Sequence, residues 1–140
     1  MGKINWIRVI LGGLLAGIVI NVFEGVAGKL FEAEYQAAME ALGKTMDMSA
    51  STMVFYFTWG FIYGIVAVGL YAAVRPRFGA GPKTAVGVGI TVWLVAYLMP
   101  SLSYAVSGLF PTGLVIIGTF VGLAESVLGT VLGAWVYKEE

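Results

Sequence analysis

Residues 112–137 read TGLVIIGTFVGLAESVLGTVLGAWVY, twenty-six positions with a single charged side chain, Glu125. At about 1.5 Å per residue, a helix over this stretch exceeds the roughly 30 Å of a bilayer's hydrocarbon core. A transmembrane strand would be shorter and would alternate apolar with polar residues, whereas this run is apolar on nearly every side. The stretch therefore reads as a membrane-spanning helix with one carboxyl group inside it.

Three more runs upstream have the same character. Residues 4–27 form the first; Gly, Asn and Glu punctuate its second half and no small-X-small cleavage site follows, so it reads as a retained span and not as a signal peptide. Residues 51–74 form the second, with the cap-capable Asp47, Ser49 and Ser51 at its start and Arg75-Pro76-Arg77 as its stop. Residues 84–107 form the third, entered through the Gly79, Gly81 and Pro82 turn. Between the first two, residues 30–43 place Phe31, Tyr35, Ala38, Met39 and Leu42 at helical spacing with Glu32, Gln36 and Glu40 elsewhere, which predicts a short amphipathic helix ended by Gly43. The expected fold is all-α: one transmembrane domain over 1–140, a four-helix integral membrane bundle with an outer amphipathic helix between spans one and two.

Composition agrees. Of 140 residues, 59% are apolar or aromatic and 11% are charged, against the roughly 25–35% charge that a soluble surface carries. Zero net charge with scattered basic residues gives nucleic acid no electrostatic footprint. The chain has neither Cys nor His, so thiol chemistry, imidazole catalysis and the usual zinc or haem ligation are absent. No metal site or cofactor is expected, and no Ser or Thr has a conventional base beside it, so the chain is expected not to be an enzyme.

Lys3, Arg8, Arg75, Arg77, Lys83 and Lys138 fall on one side of the four spans, and only Lys29 and Lys44 on the other. The positive-inside rule then places both termini in the cytoplasm. Lipid is the first expected partner. Helices in lipid associate through close backbone approach, and Gly13 and Gly17, Gly60 and Gly64, Gly118 and Gly122, and Gly129 and Gly133 are spaced for it, against a neighbouring span or a second copy of the chain.

Two acids are chemically out of place. Gly17, Asn21, Glu24 and Gly28 form one stripe of span one, and Gly118, Gly122, Glu125 and Gly129 repeat the spacing on span four. Counting from the span ends puts Glu125 about 18 Å, Asn21 about 24 Å and Glu24 about 28 Å from the cytoplasmic start. A charge at mid-membrane costs about 2.5–3.5 kcal/mol on insertion scales, so Glu125 is expected to face the bundle with a donor. Tyr97, Ser101 and Tyr104, at i, i+4 and i+7 of span three, are the expected donors, and Pro100 between them is expected to kink that span. Glu125, Glu24, Asn21, Tyr97, Ser101 and Tyr104 are thus the candidate residues for ligand or ion handling. Two functions suit them: transport or permeation of a small solute, cation or proton through intramembrane acids, or a non-catalytic component that binds lipid or protein and keeps its acids as structural anchors. A four-helix monomer has little internal volume, so transport of a small cation or lipophilic ligand favours a homo-oligomer.

The pattern Gly12-Gly13-Leu14-Leu15-Ala16-Gly17 through Asn21, then Tyr35, Ala41-Leu42-Gly43 and Arg75-Pro76-Arg77-Phe78-Gly79, resembles a group of small bacterial four-span proteins without an assigned function. The resemblance implies a bacterial inner-membrane location and supplies no site residues.

Overall fold

The computed structural model describes residues 3–139. Helix α1 spans Trp6–Leu30, α2 Glu32–Ala41, α3 Ala50–Phe78, α4 Pro82–Trp93, α5 Met99–Ser107 and α6 Thr112–Val136. A wide π turn, Leu94–Leu98, joins α4 to α5, so Pro82–Ser107 acts as one span. Four helices, α1, α3, the α4–α5 unit and α6, are long and apolar enough to cross a membrane. They form a four-span bundle in which each span is antiparallel to the next. The start of α1, the end of α6 and the 79–81 turn lie at one end, the terminal face, while α2 and the 108–111 turn lie at the other.

Local chemistry sets the helix ends. Asn5 caps α1 by accepting from Arg8 N at 3.0 Å, and Ser49 caps α3 toward Thr52 N. Pro82 occupies the first turn of α4, where its missing N–H costs nothing. The third span closes on Gly108, whose φ of +64° is left-handed. Helix α3 runs one turn further than Arg75-Pro76 suggests. Proline already holds a helical φ, and the stop comes at Gly79 (φ +88°), whose N–H returns to Arg75 O at 2.9 Å.

Each span is inside-out relative to a soluble helix. On α1, Ile7, Leu11, Leu14, Ile18 and Val22 are exposed while Gly12, Gly13, Ala16, Gly17 and Ile20 are buried. Large side chains suit a lipid-facing surface, and small ones let backbones meet. A methyl group at Gly64 would stand 2.6 Å from Gly17 N, and one at Gly13 only 2.5 Å from Ile65 Cα. Gly133 meets Gly12 across α6 and α1, and Gly129 meets Ala16 O. Gly17 lies against Phe61, and Gly60 against Asn21. Gly118 departs from the expected pattern: a methyl there would meet nothing within 4 Å, so its packing contact is not made within the chain. Two close approaches lie outside the expected pairs, Gly12 itself and Gly89, which abuts Val127 Cα on α6.

The interior near the terminal face is Val9, Ala16, Val68, Ala72, Ala85 and Tyr71. There Arg75 lies over the Tyr137 ring, 5.4 Å from its centroid, and approaches Glu139 at 3.8 Å, fastening the end of α6 to α3. Trp6 and Trp135 point outward at this level, as interfacial aromatics do. At the opposite end residues 53–59 of α3 and 102–109 beyond the π turn are exposed, and α3 packs on the third span through α4.

Candidate functional site

Glu125 is fully enclosed, at 0% exposure, in the middle of α6. The Tyr97 hydroxyl donates to its Oε1. The same hydroxyl stands 3.3 Å from Oε1 of Glu24, so one donor faces both carboxyl groups. Tyr97 thus joins two acids that lie 101 positions apart in the chain.

Counting from the span ends separated these acids by about 10 Å in height. The packing of α1 on α6 closes the gap. Gly12 opposite Gly133 and Ala16 opposite Gly129 fix an antiparallel register that sets Glu24 level with Val121, one turn or about 6 Å from Glu125. Helical Cα–Cβ bonds tilt toward the N-terminus. Because α1 and α6 run oppositely, Glu24 leans toward the terminal face and Glu125 away from it, and their carboxyls meet.

Tyr97 reaches the pair because three features hold it. Pro100 has no N–H, and its ring crowds the carbonyl four residues back; the turn widens so that Met99 N bonds Leu94 O, five residues away. The kink expected at Pro100 takes this form, and it carries Tyr97 over Gly122, where any β-carbon would strike the ring. Tyr63 then closes edge-on against Tyr97, centroids 6.0 Å apart and planes at 89°, and its hydroxyl shares a 2.8 Å hydrogen bond with Ser126 Oγ.

The other candidates go elsewhere. Asn21 Nδ2 donates to Phe57 O at 3.1 Å and ties α1 to α3 instead of bridging the two acids. Ser101 pairs with Thr119 Oγ1 at 2.7 Å. Trp93 Nε1 donates at 2.8 Å to the carbonyl of that same Thr119, so one residue of α6 clamps both sides of the π turn. Tyr104 packs edge-on against Phe110 at the 108–111 turn, its ring centroid 5.5 Å away. The expected Tyr97-Ser101-Tyr104 stripe is therefore divided among three tasks. Tyr63 and Ser126, absent from the sequence-based set, border the acids; the signals for them were Ser126 beside Glu125, and Tyr63 on the Gly60-Gly64 face.

No Lys or Arg balances the acids. Among the described residues the ion pairs are Lys29–Glu32 and Arg75–Glu139, both remote from the pair. Glu125 Oε2 is buried without a hydrogen-bond partner. One phenolic proton therefore faces two carboxyl groups, and a second proton on the pair would fill the gap by making one carboxyl a donor to the other. Glu24 is exposed toward the α2 face, where Tyr35 of α2 lies close enough to feel its charge; burial first, and that charge second, push the Tyr35 phenol up. Toward the terminal face Ala16, Val68, Thr130 and Val9 close the interior. The site is a buried acid joined through Tyr97 to an exposed one.

No family model matches the chain, and neither a curated protein nor a solved structure was found similar to it.

Proposed function

We propose that the chain is a transport or permeation protein in which Glu125 takes up and releases a proton, passed through Tyr97 and Glu24 from the α2 face, while a small solute or cation crosses. The observation that carries this reading is the unpartnered, fully buried Oε2 of Glu125 at the end of a hydrogen-bonded path to an exposed acid. Intramembrane acids in such settings mark proton and ion pathways. The reading includes both termini in the cytoplasm of a bacterial inner membrane, no enzymatic reaction, and a homo-oligomer that supplies the volume a four-helix unit lacks. The test is proton flux into proteoliposomes holding the full chain, with Glu125→Gln as comparison. Flux lost in a variant that still folds supports the proposal; equal flux in both overturns it.

A second reading rests on a different feature. A groove of about 360 Å³ runs between α2 and the start of α6, walled by Ala37, Ala38, Ala41, Leu114 and Ile117 with Glu34 at its rim. A non-catalytic component that binds a lipid chain or a protein segment would use this groove and leave the acids as an anchor. Ala38→Trp separates the two readings, since it fills the groove without touching Glu125. Lost lipid or protein association with intact proton flux favours the site; lost association with no flux in any variant favours the groove.

A further inference from the structure

We propose that the oxygen cluster of Glu125, Glu24 and Tyr97 also binds one small dehydrated monovalent cation, of sodium size, in exchange for the proton held by the acid pair. The inference deepens the proton reading above and rests on it.

The Tyr97 hydroxyl brings together oxygen donors alone: its own, the Glu125 carboxyl and the Glu24 carboxyl. Hard cations take such ligands, while softer metals look for sulfur or imidazole. Glu125 Oε2, on the same carboxyl that Tyr97 contacts, has no partner and no exposed surface, so an acceptor is already in place and desolvated. The titratable groups around it are Glu24 from α1, Tyr97 from the π turn and Tyr63 from α3, with Tyr35 of α2 beyond Glu24. None of them carries positive charge.

Charge and space then select the ion. A pair holding one proton carries one negative charge. Exchange of that proton for a monovalent cation leaves the charge unchanged in a region where each uncompensated charge is costly. A divalent ion would change it, and among the described residues no three acidic, His or Cys side chains come together to hold one. Magnesium also keeps several of its waters, for which the enclosed Oε2 leaves no room. An organic ammonium ion is too bulky for a carboxyl that has no exposed surface. In the exchange the carboxyl O–H bond breaks, its proton leaves through Tyr97 and Glu24 to water at the α2 face, and the cation occupies the oxygens it vacates.

The test uses the full chain in lipid nanodiscs. Infrared spectroscopy follows the protonated-carboxyl C=O band while a weakly buffered medium reports released protons, with sodium, lithium, potassium or choline chloride added at equal ionic strength. Sodium and lithium are expected to remove the band and release about one proton per chain, with choline inert and Glu125→Gln lacking both responses. Tyr97→Phe keeps both acids and loses one oxygen, so it is expected to need about tenfold more sodium for the same loss, which keeps the test decisive if the Gln variant does not fold. A band that titrates with pH yet answers sodium and lithium no differently from choline overturns the cation site and leaves the proton reading standing. A response to potassium equal to that for sodium overturns the size selection. Absence of a protonated-carboxyl band at every pH overturns both the cation site and the proton reading.

Discussion

The two halves of the bundle are held together by different means. Near the terminal face, α1 meets α3 and α6 backbone to backbone through Gly12, Gly13, Gly64 and Gly133. Nearer α2, single polar contacts join the helices: Asn21 to Phe57 O, Tyr97 to the two acids, Ser101 and Trp93 to Thr119. In lipid, apolar surface gains nothing by leaving the solvent, so a helix pair without small residues needs hydrogen bonds. The glycine half is suited to staying still. In the polar half each contact can be broken singly, and the acids lie where these two regimes meet.

The sharpest break in this comparison is expected from Gly64→Leu. Its side chain must displace the α1 backbone, so the folded chain should be lost or destabilised by about 1–3 kcal/mol or more, read from thermal unfolding in detergent. Gly118→Leu, placed where a side chain meets nothing, should leave that unfolding unchanged. Equal effects of the two would mean that the close contacts do not hold the half near the terminal face together.

Next comes Tyr97→Phe, which keeps the ring over Gly122 and removes the one donor to Glu125 Oε1. A loss of about 1–3 kcal/mol is expected, because a buried acceptor is left without its partner. Chemical denaturation in mixed micelles measures it, and no loss would mean that water replaces the hydroxyl and that the site is wetter than its burial indicates.

Asn21→Ala should cost less, about 0.6 kcal/mol, the mean measured for hydrogen bonds between helices in a bilayer. A double-mutant cycle of Asn21→Ala with Tyr97→Phe should be additive, since the two side chains serve different helix pairs; strong coupling would fuse them into one network after all.

The smallest effect lies outside the membrane. Hydrogen bonds from Thr52, then from Ser49, hold the Asp47 carboxyl below its usual range at the start of α3. A lowered carboxyl contributes stability that is fully present above its unfolded value and is lost as pH falls through the folded one. Amide exchange at residues 50–53 should therefore accelerate only in acid below the usual aspartate range, and Asp47→Asn should abolish that pH dependence.

The spans were legible because physics leaves a run like 112–137 few options: length and the lack of charge force a helix in lipid. Glu125 was legible for the same reason, since an acid in that run needs a partner, and a tyrosine in a facing span was a good candidate. What the sequence hid was relative placement. The slide of α1 along α6 is set by Gly12 against Gly133 and Ala16 against Gly129, and nothing in a spacing of four says which glycine of a row touches a neighbour; Gly118 has the pattern and no contact. Pro100 announced a disturbance but not its form. A π turn moves the residues beyond it off the stripe that regular helical spacing assigns them, which is why Ser101 and Tyr104 part from Tyr97.

That turn also has a meaning for chain length. Leu94–Leu98 is, in effect, one residue more than an α-helix between Trp93 and Ser101 would need, and both of those side chains are fastened to Thr119. Deleting the exposed Val95 would restore regular winding and rotate everything beyond it by about 100°. Trp93 and Ser101 could then no longer share Thr119, and Tyr97 would swing off Gly122. In this span the number of residues is as much a part of the site as their identity.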